Sequence, residues 1–367
     1  MKRVVIAPDS FKGTLSSADV CRTVSTALKE RYEDIKIYEI PVADGGEGTA
    51  EAFLQAVGGE RIYCTVKSPL GRDIEAYFVM LPDKTAVIET ALASGLTLEK
   101  RNDALLASTY GTGQLIKAAL EEGAESLFIG IGGSATTDAG TGCLKALGAR
   151  FFDGEDKEIS PCGKSLEEIK RIDTDGLDER IYSKKITVLC DVKNPLYGEK
   201  GAAYIFAPQK GADEKDVITL DRGLESFAGV SERTLGKDFS YYEGAGAAGG
   251  LGFALVAFMG AELKSGIDLV LDYCKFEKRA ENADLIITGE GRLDSQSLMG
   301  KVPFGVASRC KGKRVVALVG VSDVSKSECA LMGIGEVIQA NPEHLPFEEI
   351  KACAKEMLYE ACKKIKL

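Results

Sequence analysis

Five short segments of this chain combine glycines with carboxylates, hydroxyls and cationic side chains. They span residues 7–16, 41–49, 128–142, 190–198 and 289–301. Glycine lets the backbone approach a ligand closely, and carboxylate oxygens are suitable ligands for hard cations such as Mg²⁺. We therefore expect these segments to bind small charged ligands, and phosphate or metal chemistry is the first interpretation to consider.

The segment 128–142 has the strongest pattern. It reads Phe-Ile-Gly-Ile-Gly-Gly-Ser-Ala-Thr-Thr-Asp-Ala-Gly-Thr-Gly, which predicts a strand, a glycine turn and a helix. The N–H groups of Gly132, Gly133 and Ser134 can then face an anion near the helix N-terminus, and Thr136 adds a hydroxyl. Asp138 either caps the helix or binds Mg²⁺.

The same segment also matches a dinucleotide fingerprint. Gly130, Gly132 and Ala135 fit G-x-G-x-x-A, and Asp153 follows near the position expected to contact a ribose. This alternative predicts an NAD(P)-dependent oxidoreductase of a small hydroxy acid. A second glycine cluster at 244–252 follows a segment that is barely a strand, so it is interpreted as a loop entering a helix over 253–263, with its structural or functional role left open.

Polar residues also follow the first two predicted strands. Asp9, Ser10 and Lys12 come directly after the first strand, where ligands of open α/β sheets bind. Lys12 can neutralise a phosphate or a carboxylate. Asp44 and Glu47 follow the second strand among glycines, which suits Mg²⁺ or substrate hydroxyls, although Glu47 can also simply complement a helix dipole.

Two later strands end in similar loops. In the segment 289–301, Arg292 and Lys301 supply positive charge for phosphates, while Glu290 and Asp294 supply metal-binding or base functions. Asp191 ends another strand and is the first candidate for the base that takes a hydroxyl proton.

Several familiar enzyme classes lack their required residues in this chain. The runs 163–165 and 300–301 resemble the end of a P-loop, but Glu158 and Ser295 stand where its leading glycine is needed. The protein-kinase signature set is also missing. The single histidine, His344, is not expected to be catalytic, so a carboxylate or a lysine is the expected base.

Composition excludes further classes. The chain has 367 residues, a formal net charge of −10 and no long basic stretch, so no nucleic-acid or membrane partner is expected. Its ten cysteines contain no C-x-x-C pair and are expected to be reduced thiols. No signal peptide or membrane span is predicted, which indicates a cytoplasmic protein.

Apolar runs alternate with helical patterns, which predicts a parallel α/β architecture. The middle of the chain differs, because hairpin-like strands and glycine clusters interrupt the alternation. We therefore predict a flavodoxin-like domain (1–60 plus 271–367) interrupted by a second, mixed α/β domain (61–270). The expected strands are Val4–Ala7, Ile35–Ile40, Arg61–Val66, Ile74–Leu81, Leu127–Ile131, Ile186–Cys190, Leu285–Thr288, Val315–Val319 and Glu336–Gln339, and the expected helices include 18–31, 111–122, 138–147, 302–310 and 347–364.

Together, five motifs resemble the glycerate kinase type-1 family. They are Ala-Pro-Asp-Ser-Phe-Lys-Gly (7–13), Ala-Asp-Gly-Gly-Glu-Gly-Thr (43–49), Ile-Gly-Gly-Ser-Ala-Thr-Thr-Asp (131–138), Cys-Asp-Val-Lys-Asn-Pro-Leu (190–196) and Gly-Glu-Gly-Arg-Leu-Asp (289–294), in family order over nearly the whole chain. Thr137 and Ala139 replace an asparagine and a glycine that are common in the family, and these are conservative changes. The resemblance implies the predicted two-domain fold and ATP-dependent phosphorylation of D-glycerate, usually at the 2-hydroxyl.

The residue roles expected for such a kinase rest on side-chain chemistry. ATP and Mg²⁺ are the expected cofactors, and the oligomeric state stays open. The expected residues are Asp191, Asp294 and Lys12 for catalysis, Asp9, Ser10, Asn194 and Arg292 for substrate binding, Gly132, Gly133, Ser134, Thr136 and Lys301 for ATP, and Asp44, Glu47, Asp138 and Glu290 for the metal. A sugar-acid sensor without catalytic activity is a third interpretation, which the full set of charged residues disfavours.

Overall fold

The computed structural model describes residues 1–294, 297, 301–310, 312–341, 343 and 345–367. Predictions that concern Ser295, Gly300 and His344 lie outside the described residues. The strands are β1 Lys2–Pro8, β2 Ile35–Glu39, β3 Glu60–Lys67, β4 Asp73–Met80, β5 Thr85–Glu89, β6 Ser126–Gly130, β7 Arg150–Phe152, β8 Glu158–Ile159, β9 Arg171–Asp173, β10 Lys185–Leu189, β11 Glu262–Lys264, β12 Leu285–Leu293, β13 Val315–Ser322 and β14 Glu336–Gln339.

The α-helices follow the strands in alternation over much of the chain. They are α1 Ser17–Lys29, α2 Thr49–Val57, α3 Ala91–Ser94, α4 Tyr110–Glu121, α5 Thr141–Ala146, α6 Ala202–Phe206, α7 Glu214–Leu235, α8 Leu251–Met259, α9 Gly266–Tyr273, α10 Phe276–Ala280, α11 Val302–Ser308, α12 Lys326–Leu331 and α13 Phe347–Cys362. Short 3₁₀ helices lie at Gly163–Glu168, Glu179–Ser183, Pro208–Lys210 and Ala247–Gly250. No helix of the described part of the chain is both long and apolar enough to cross a membrane.

The backbone contacts divide the chain into two compact units. Unit 1 comprises residues 1–44, 51–58 and 266–367, and unit 2 comprises residues 45–50 and 59–265. The fold is therefore α/β with an interrupted first unit. The predicted domain boundaries at residues 60 and 270 stay a prediction.

Unit 1 is built on an all-parallel sheet in the order β14-β13-β12-β1-β2. Numbered within the unit, this order is 2-1-3-4-5, the arrangement of flavodoxin-like folds. Val4–Ala7 of β1 are fully buried, as expected for a central strand covered on both faces. After β1 the chain continues to β2 on one side of the sheet, and after β12 it continues to β13 on the other side. The carboxyl ends of β1 and β12 therefore form the topological switch point.

Helix α1 begins close to this switch point. The Ser16 hydroxyl accepts a hydrogen bond from the Asp19 N–H at 3.1 Å, which caps the helix and ends the preceding loop. Val20 and Val24 of α1 and Leu358 of α13 pack in one core cluster with the central strands. This packing fixes the loop that carries the first predicted polar segment.

Unit 2 contains a six-stranded sheet in the order β11-β10-β6-β5-β4-β3 and a separate three-stranded sheet in the order β8-β7-β9. β3, β4 and β5 are antiparallel neighbours, whereas β5, β6, β10 and β11 run parallel. β5 (Thr85–Glu89) is a further strand that the sequence did not predict.

Two sequence predictions in unit 2 need correction. The helix expected over 138–147 begins at Thr141, because Ala139 and Gly140 adopt positive φ values of 53° and 71°. The dinucleotide fingerprint at 130–135 also does not open a βαβ unit. β7, which precedes Asp153, pairs antiparallel with β8 and β9 in the small sheet and does not lie beside β6.

Candidate active site

Unit 1 contains a cavity of about 390 Å³ at the carboxyl ends of its strands. Its lining includes residues from the loop after β1 and residues from the end of β12, the two strands at the switch point. Ligands of open α/β sheets bind at this position. The polar residues in the lining are Asp9, Ser10, Lys12, Thr14, Glu290, Arg292, Asp294, Lys301 and Asn341.

Asp9 is the most strongly perturbed carboxylate of the cavity. Its N–H donates to the Gly289 carbonyl at 2.8 Å, which ties the loop to β12, and its Oδ1 accepts from the Ser10 N–H at 2.6 Å. Burial and the nearby Asp44 carboxylate raise the pKa of Asp9 to about 7. A carboxylate with a pKa near neutrality can exchange a proton under physiological conditions.

Lys12 balances part of this negative charge. Its Nζ lies 3.3 Å from Asp44 Oδ2. Asp44, together with Asp9 and Glu290, raises the pKa of Lys12 in spite of the opposing effect of burial. Lys12 is therefore cationic at neutral pH and available to attract an anion.

Glu290 lies at the end of β12 and is buried. Its Oε1 has no hydrogen-bond partner among the residues that the structure describes. Burial raises the pKa of Glu290, while Ser297 and Lys301 oppose this change. A buried carboxylate oxygen without a partner is costly unless a ligand or cation satisfies it.

Two cations, Arg292 near the end of β12 and Lys301 beyond it, are both close to carboxylates. Arg292 donates from Nε to Asp323 Oδ2 at 2.7 Å, and Lys301 Nζ lies 3.9 Å from Asp294 Oδ1. Asp294 also accepts from the Ser297 N–H at 3.3 Å, so this loop is held by its own side chains. Arg292 has an exposed guanidinium and can bind a further anion while it keeps its ion pair with Asp323.

Within the part of the chain that the structure describes, no group of three or more His, Cys, Asp or Glu side chains is arranged to hold a metal ion. This agrees with the chemistry of Mg²⁺, which usually takes one or two carboxylates together with substrate phosphates and water. Glu290 Oε1, which has no partner among the described residues, and Asp44, which like Glu290 raises the pKa of Asp9, fit such a partial site.

In unit 2, the glycine-rich loop after β6 packs tightly on its surroundings. The Gly132 N–H donates to the Gly45 carbonyl at 3.0 Å. Gly133 is exposed with a φ of 70°, and no hydrogen bond from the N–H of Gly133 or Ser134 reaches another described residue. These two N–H groups can therefore receive an anion.

Thr136 and Asp138 are fully buried, in contrast to Gly133. The Thr136 hydroxyl makes no hydrogen bond with any described residue, and it does not reach the surface in this conformation. Asp138 accepts hydrogen bonds from the N–H and the hydroxyl of Thr109, both at 2.8 Å, and from the N–H groups of Gly142 and Gly140. This geometry supports the capping alternative for Asp138, because its oxygens already have partners.

Lys210 is a candidate functional residue that the sequence did not indicate. It ends the 3₁₀ helix Pro208–Lys210 and is only 2% exposed. Its Nζ donates to the Ser134 hydroxyl at 3.1 Å and to the Thr136 carbonyl at 2.6 Å. Burial lowers the pKa of Lys210 to about 7, although Asp138 acts in the opposite direction. Lys210 thus fixes the glycine-rich loop from beneath.

The second glycine cluster supports the same loop. A Cβ atom on Gly249 would lie 2.0 Å from the Thr136 carbonyl oxygen, and one on Gly246 would lie 2.2 Å from the Pro195 carbonyl oxygen. Close backbone packing therefore requires both glycines. The contacts favour the structural interpretation that the sequence left open, since they join the loops at 136 and 195 to the start of α8.

The remaining predicted residues of unit 2 lie on loops. Asp191 is exposed directly after β10, and the Asn194 side chain donates to the Lys200 carbonyl at 2.8 Å. Glu47 is exposed, and the buried Glu89 supports its loop by accepting from the Gly48 and Ala50 N–H groups. Burial raises the pKa of Glu89 to about 7. Glu89 was not among the predicted site residues, because it lies in β5, a strand that the sequence did not predict.

Carboxylates and cations at the switch point of a flavodoxin-like sheet define an α/β enzyme that acts on small charged ligands. A model of the glycerate kinase family matches residues 4–367, and the chain belongs to this family. It is therefore a kinase and not the oxidoreductase of the alternative interpretation.

Three relatives illustrate the similarity. Glycerate kinase of Bacillus subtilis (strain 168) is 44% identical over 99% of this chain and 96% of its own length. Glycerate 2-kinase of Escherichia coli (strain K12) is 48% identical over 87% of this chain and 85% of its own length. A crystal structure from Salmonella typhimurium LT2, provisionally named glycerate kinase 2, has a TM-score of 0.88 and 40% identity, covering 99% of this chain and 96% of that one.

Proposed function

We propose that this protein is an ATP-dependent glycerate kinase that transfers the γ-phosphoryl group of ATP to the 2-hydroxyl of D-glycerate. Family membership and the Escherichia coli relative named glycerate 2-kinase support this proposal. The structural observation that carries it is the buried Asp9 beside Lys12 and Glu290 at the switch point of unit 1. A site of this kind suits a small anion that also carries hydroxyl groups.

Phosphoryl transfer depends mainly on positioning and on neutralising charge, because the protein has little covalent chemistry to perform. We assign glycerate binding in unit 1 to Asp9, Ser10 and Arg292. The exposed guanidinium of Arg292 suits the substrate carboxylate, while Asp9 and Ser10 suit its hydroxyls. Asn194 of unit 2 stays a predicted substrate contact, although its side-chain amide already donates to the backbone.

The phosphates of the donor are assigned to cationic groups and to free N–H groups. In unit 1, Lys12 and Lys301 line the cavity and supply positive charge. In unit 2, Gly133 and Ser134 offer N–H groups, and Gly132 shapes the turn by donating to Gly45. Thr136 is the weakest member of the predicted set, because its side chain is buried.

Mg²⁺ bound with ATP would neutralise charge on the transferred phosphoryl group. We propose Asp44 and Glu290 as its protein ligands in unit 1, directly or through water, because Glu290 Oε1 is buried without a partner in the described chain. Glu47 stays a predicted ligand in unit 2. Asp138 is the least suitable of the predicted metal ligands, since its oxygens already accept hydrogen bonds from Thr109 at the start of α4 and from Gly140 and Gly142 at the start of α5.

The base that removes the hydroxyl proton is assigned first to Asp191 and second to Asp294. Asp191 is exposed at the carboxyl end of β10, a position from which a carboxylate can reach a ligand. Asp294 lines the cavity of unit 1 but is held by the Ser297 N–H and lies near Lys301. Asp9, whose pKa is near 7, is the structural competitor for this role.

The test is product formation from D-glycerate, ATP and Mg²⁺, coupled to enolase and pyruvate kinase with and without phosphoglycerate mutase. Signal without the mutase, above a control lacking glycerate, supports transfer to the 2-hydroxyl. A signal that requires the mutase would show that the phosphoryl group is transferred to the 3-hydroxyl. A folded protein that binds ATP but gives no signal in either mixture would refute glycerate as the substrate.

A further inference from the structure

The cavity of unit 1 has two chemically different parts. Charged side chains come from the loop after β1 and from the end of β12, whereas the residues contributed by the ends of β13 and β14 and by α13 are mostly apolar. Since the sheet order runs from β1 through β12 and β13 to β14, the apolar part extends to one side of the charged part. The apolar lining consists of Val321, Ala340, Leu345, Phe347, Ile350, Ala354 and Met357.

These apolar side chains do not belong to the closed core of unit 1. Phe347 is 46% exposed, and Ile350, Ala354 and Met357 are only half-buried. The core cluster of the unit instead contains Leu358 from the same helix. A concave surface of exposed apolar side chains next to charged groups is typical of a ligand pocket.

Asn341 does not make this part of the cavity polar. Its Nδ2 donates to the Leu345 carbonyl at 3.1 Å, and its Oδ1 accepts from the Leu345 N–H at 3.0 Å. The amide therefore closes a turn and has little capacity left for a ligand. An apolar pocket without a free charged group cannot recognise a small hydroxy acid, because such a ligand would lose its hydration without compensation.

A ligand that fills both parts must itself have an apolar ring at one end and negative charge at the other. A purine nucleoside triphosphate has this form, and a cavity of about 390 Å³ lies in the size range of small-molecule sites. Phe347 and Met357 supply the flat and polarisable surfaces on which aromatic rings pack well.

We propose that the apolar part of this cavity, between the ends of β13 and β14 and helix α13, binds the purine base of ATP. The triphosphate then extends towards Lys12 and Lys301, which line the charged part of the same cavity. This inference rests on the proposed function, because it assumes ATP as the phosphoryl donor, and it assigns the nucleoside to unit 1.

Two alanines of α13 provide a matched pair of variants. Ala354 lines the cavity, whereas Ala352 is exposed on the same helix and is not part of the lining. Ala354→Trp fills the apolar part, and Ala352→Trp places the same side chain outside it. The chain contains no tryptophan, so each variant carries a single indole, and far-ultraviolet circular dichroism checks that both variants are folded.

Calorimetric titration with a non-hydrolysable ATP analogue measures binding to both parts of the cavity, and titration with inorganic triphosphate measures binding to the charged part alone. Ala354→Trp should weaken binding of the analogue roughly 10-fold or more and leave triphosphate binding unchanged, because an overfilled pocket excludes the ring alone. Ala352→Trp should bind both probes like the unaltered protein. Equal affinity of Ala354→Trp and Ala352→Trp for the analogue would overturn the inference.

Photolabelling of the unaltered protein with azido-ATP gives a result that does not depend on a variant. We expect the label on peptides from the ends of β13 or β14 or from the first turns of α13, and labelling confined to other peptides would refute the site. The coupled kinase assay separates the two proposals. If α13 is labelled but glycerate is not phosphorylated, only the proposed function is refuted. If glycerate is phosphorylated but Ala354→Trp keeps its affinity for the nucleotide, only the purine site is refuted.

Discussion

Replacing Lys210 by methionine tests whether a buried amine supports the glycine-rich loop. Lys210 is buried beneath Ser134 and Thr136, and Asp138 is the charged group that acts on it. Its pKa falls from 10.5 in a model peptide to about 7 in the folded protein. Methionine has nearly the same length and no titratable group, so it removes the charge and the two hydrogen bonds together.

The sign of the pH effect follows from proton binding. Between pH 7 and 10.5 the unfolded chain holds a proton on Lys210 and the folded protein does not. Raising the pH across this window therefore stabilises the folded protein. The free energy of unfolding should rise by about 1 kcal/mol per pH unit near pH 8 to 9, relative to the variant, and by ~5 kcal/mol in total across the window.

Urea unfolding of the unaltered protein, of Lys210→Met and of Lys215→Met at pH 8 and at pH 9 measures this difference. Lys215 is exposed on α7, so its replacement removes a lysine without removing a buried one. The free-energy gap between the unaltered protein and Lys210→Met should change by about 1 kcal/mol between the two pH values. The difference in unfolding free energy between the unaltered protein and Lys215→Met should be the same at both pH values. A difference for Lys210→Met that is also the same at both pH values would refute the reasoning.

Three further substitutions test the site and its support. If Asp9 rather than Asp191 is the base, Asp9→Asn should lower kcat roughly 100-fold without unfolding the protein, because the amide cannot accept a proton. Near-normal turnover with an unchanged circular dichroism spectrum would exclude Asp9 as the base. Asp191→Asn should have a similar effect if Asp191 is the base, and full activity in the coupled assay would transfer that role to a carboxylate of unit 1. Gly249→Ala should lower the free energy of unfolding by ~2–4 kcal/mol, since its Cβ meets the Thr136 carbonyl at a φ of 66°. Gly236→Ala, at a φ of 73° with open space around it, should cost only ~1 kcal/mol, and equal losses in denaturant unfolding would contradict the packing explanation.

Much of the architecture could be predicted because its signals are local. Continuous apolar runs such as Val4–Ala7 identify buried parallel strands without any knowledge of their neighbours. The polar residues at 9–12 and 290–294 could also be placed at a common edge, since they follow such apolar runs directly. The strand predicted to end at Thr288 continues to Leu293, so Glu290 and Arg292 lie in β12 and not in a loop. The start of α5 was wrong by three residues, because the positive φ of Ala139 has no clear sequence signal.

The supporting residues could not be predicted because their partners are distant in the chain. Lys210 contacts Ser134 across 76 residues, and Glu89 contacts Gly48 across 41 residues. Neither side chain lies in a glycine-rich motif, so nothing in the neighbouring sequence distinguishes it from an ordinary charged residue on the surface. Only the folded structure, which buries both groups, identifies them.

The position of β12 beside β1 has a consequence for how the chain is made. Thr288 of β12 donates its hydroxyl hydrogen bond to the Ala7 carbonyl of β1 across 281 residues of sequence. At a synthesis rate of ~5–20 residues per second, β1 leaves the ribosome roughly 15–60 s before its central neighbour exists. Unit 2, which is contained entirely within residues 45–265, can complete its sheets in that interval. Until β12 has been translated, β1 is paired with β2 on one edge only, and its apolar free edge is a natural binding segment for a chaperone.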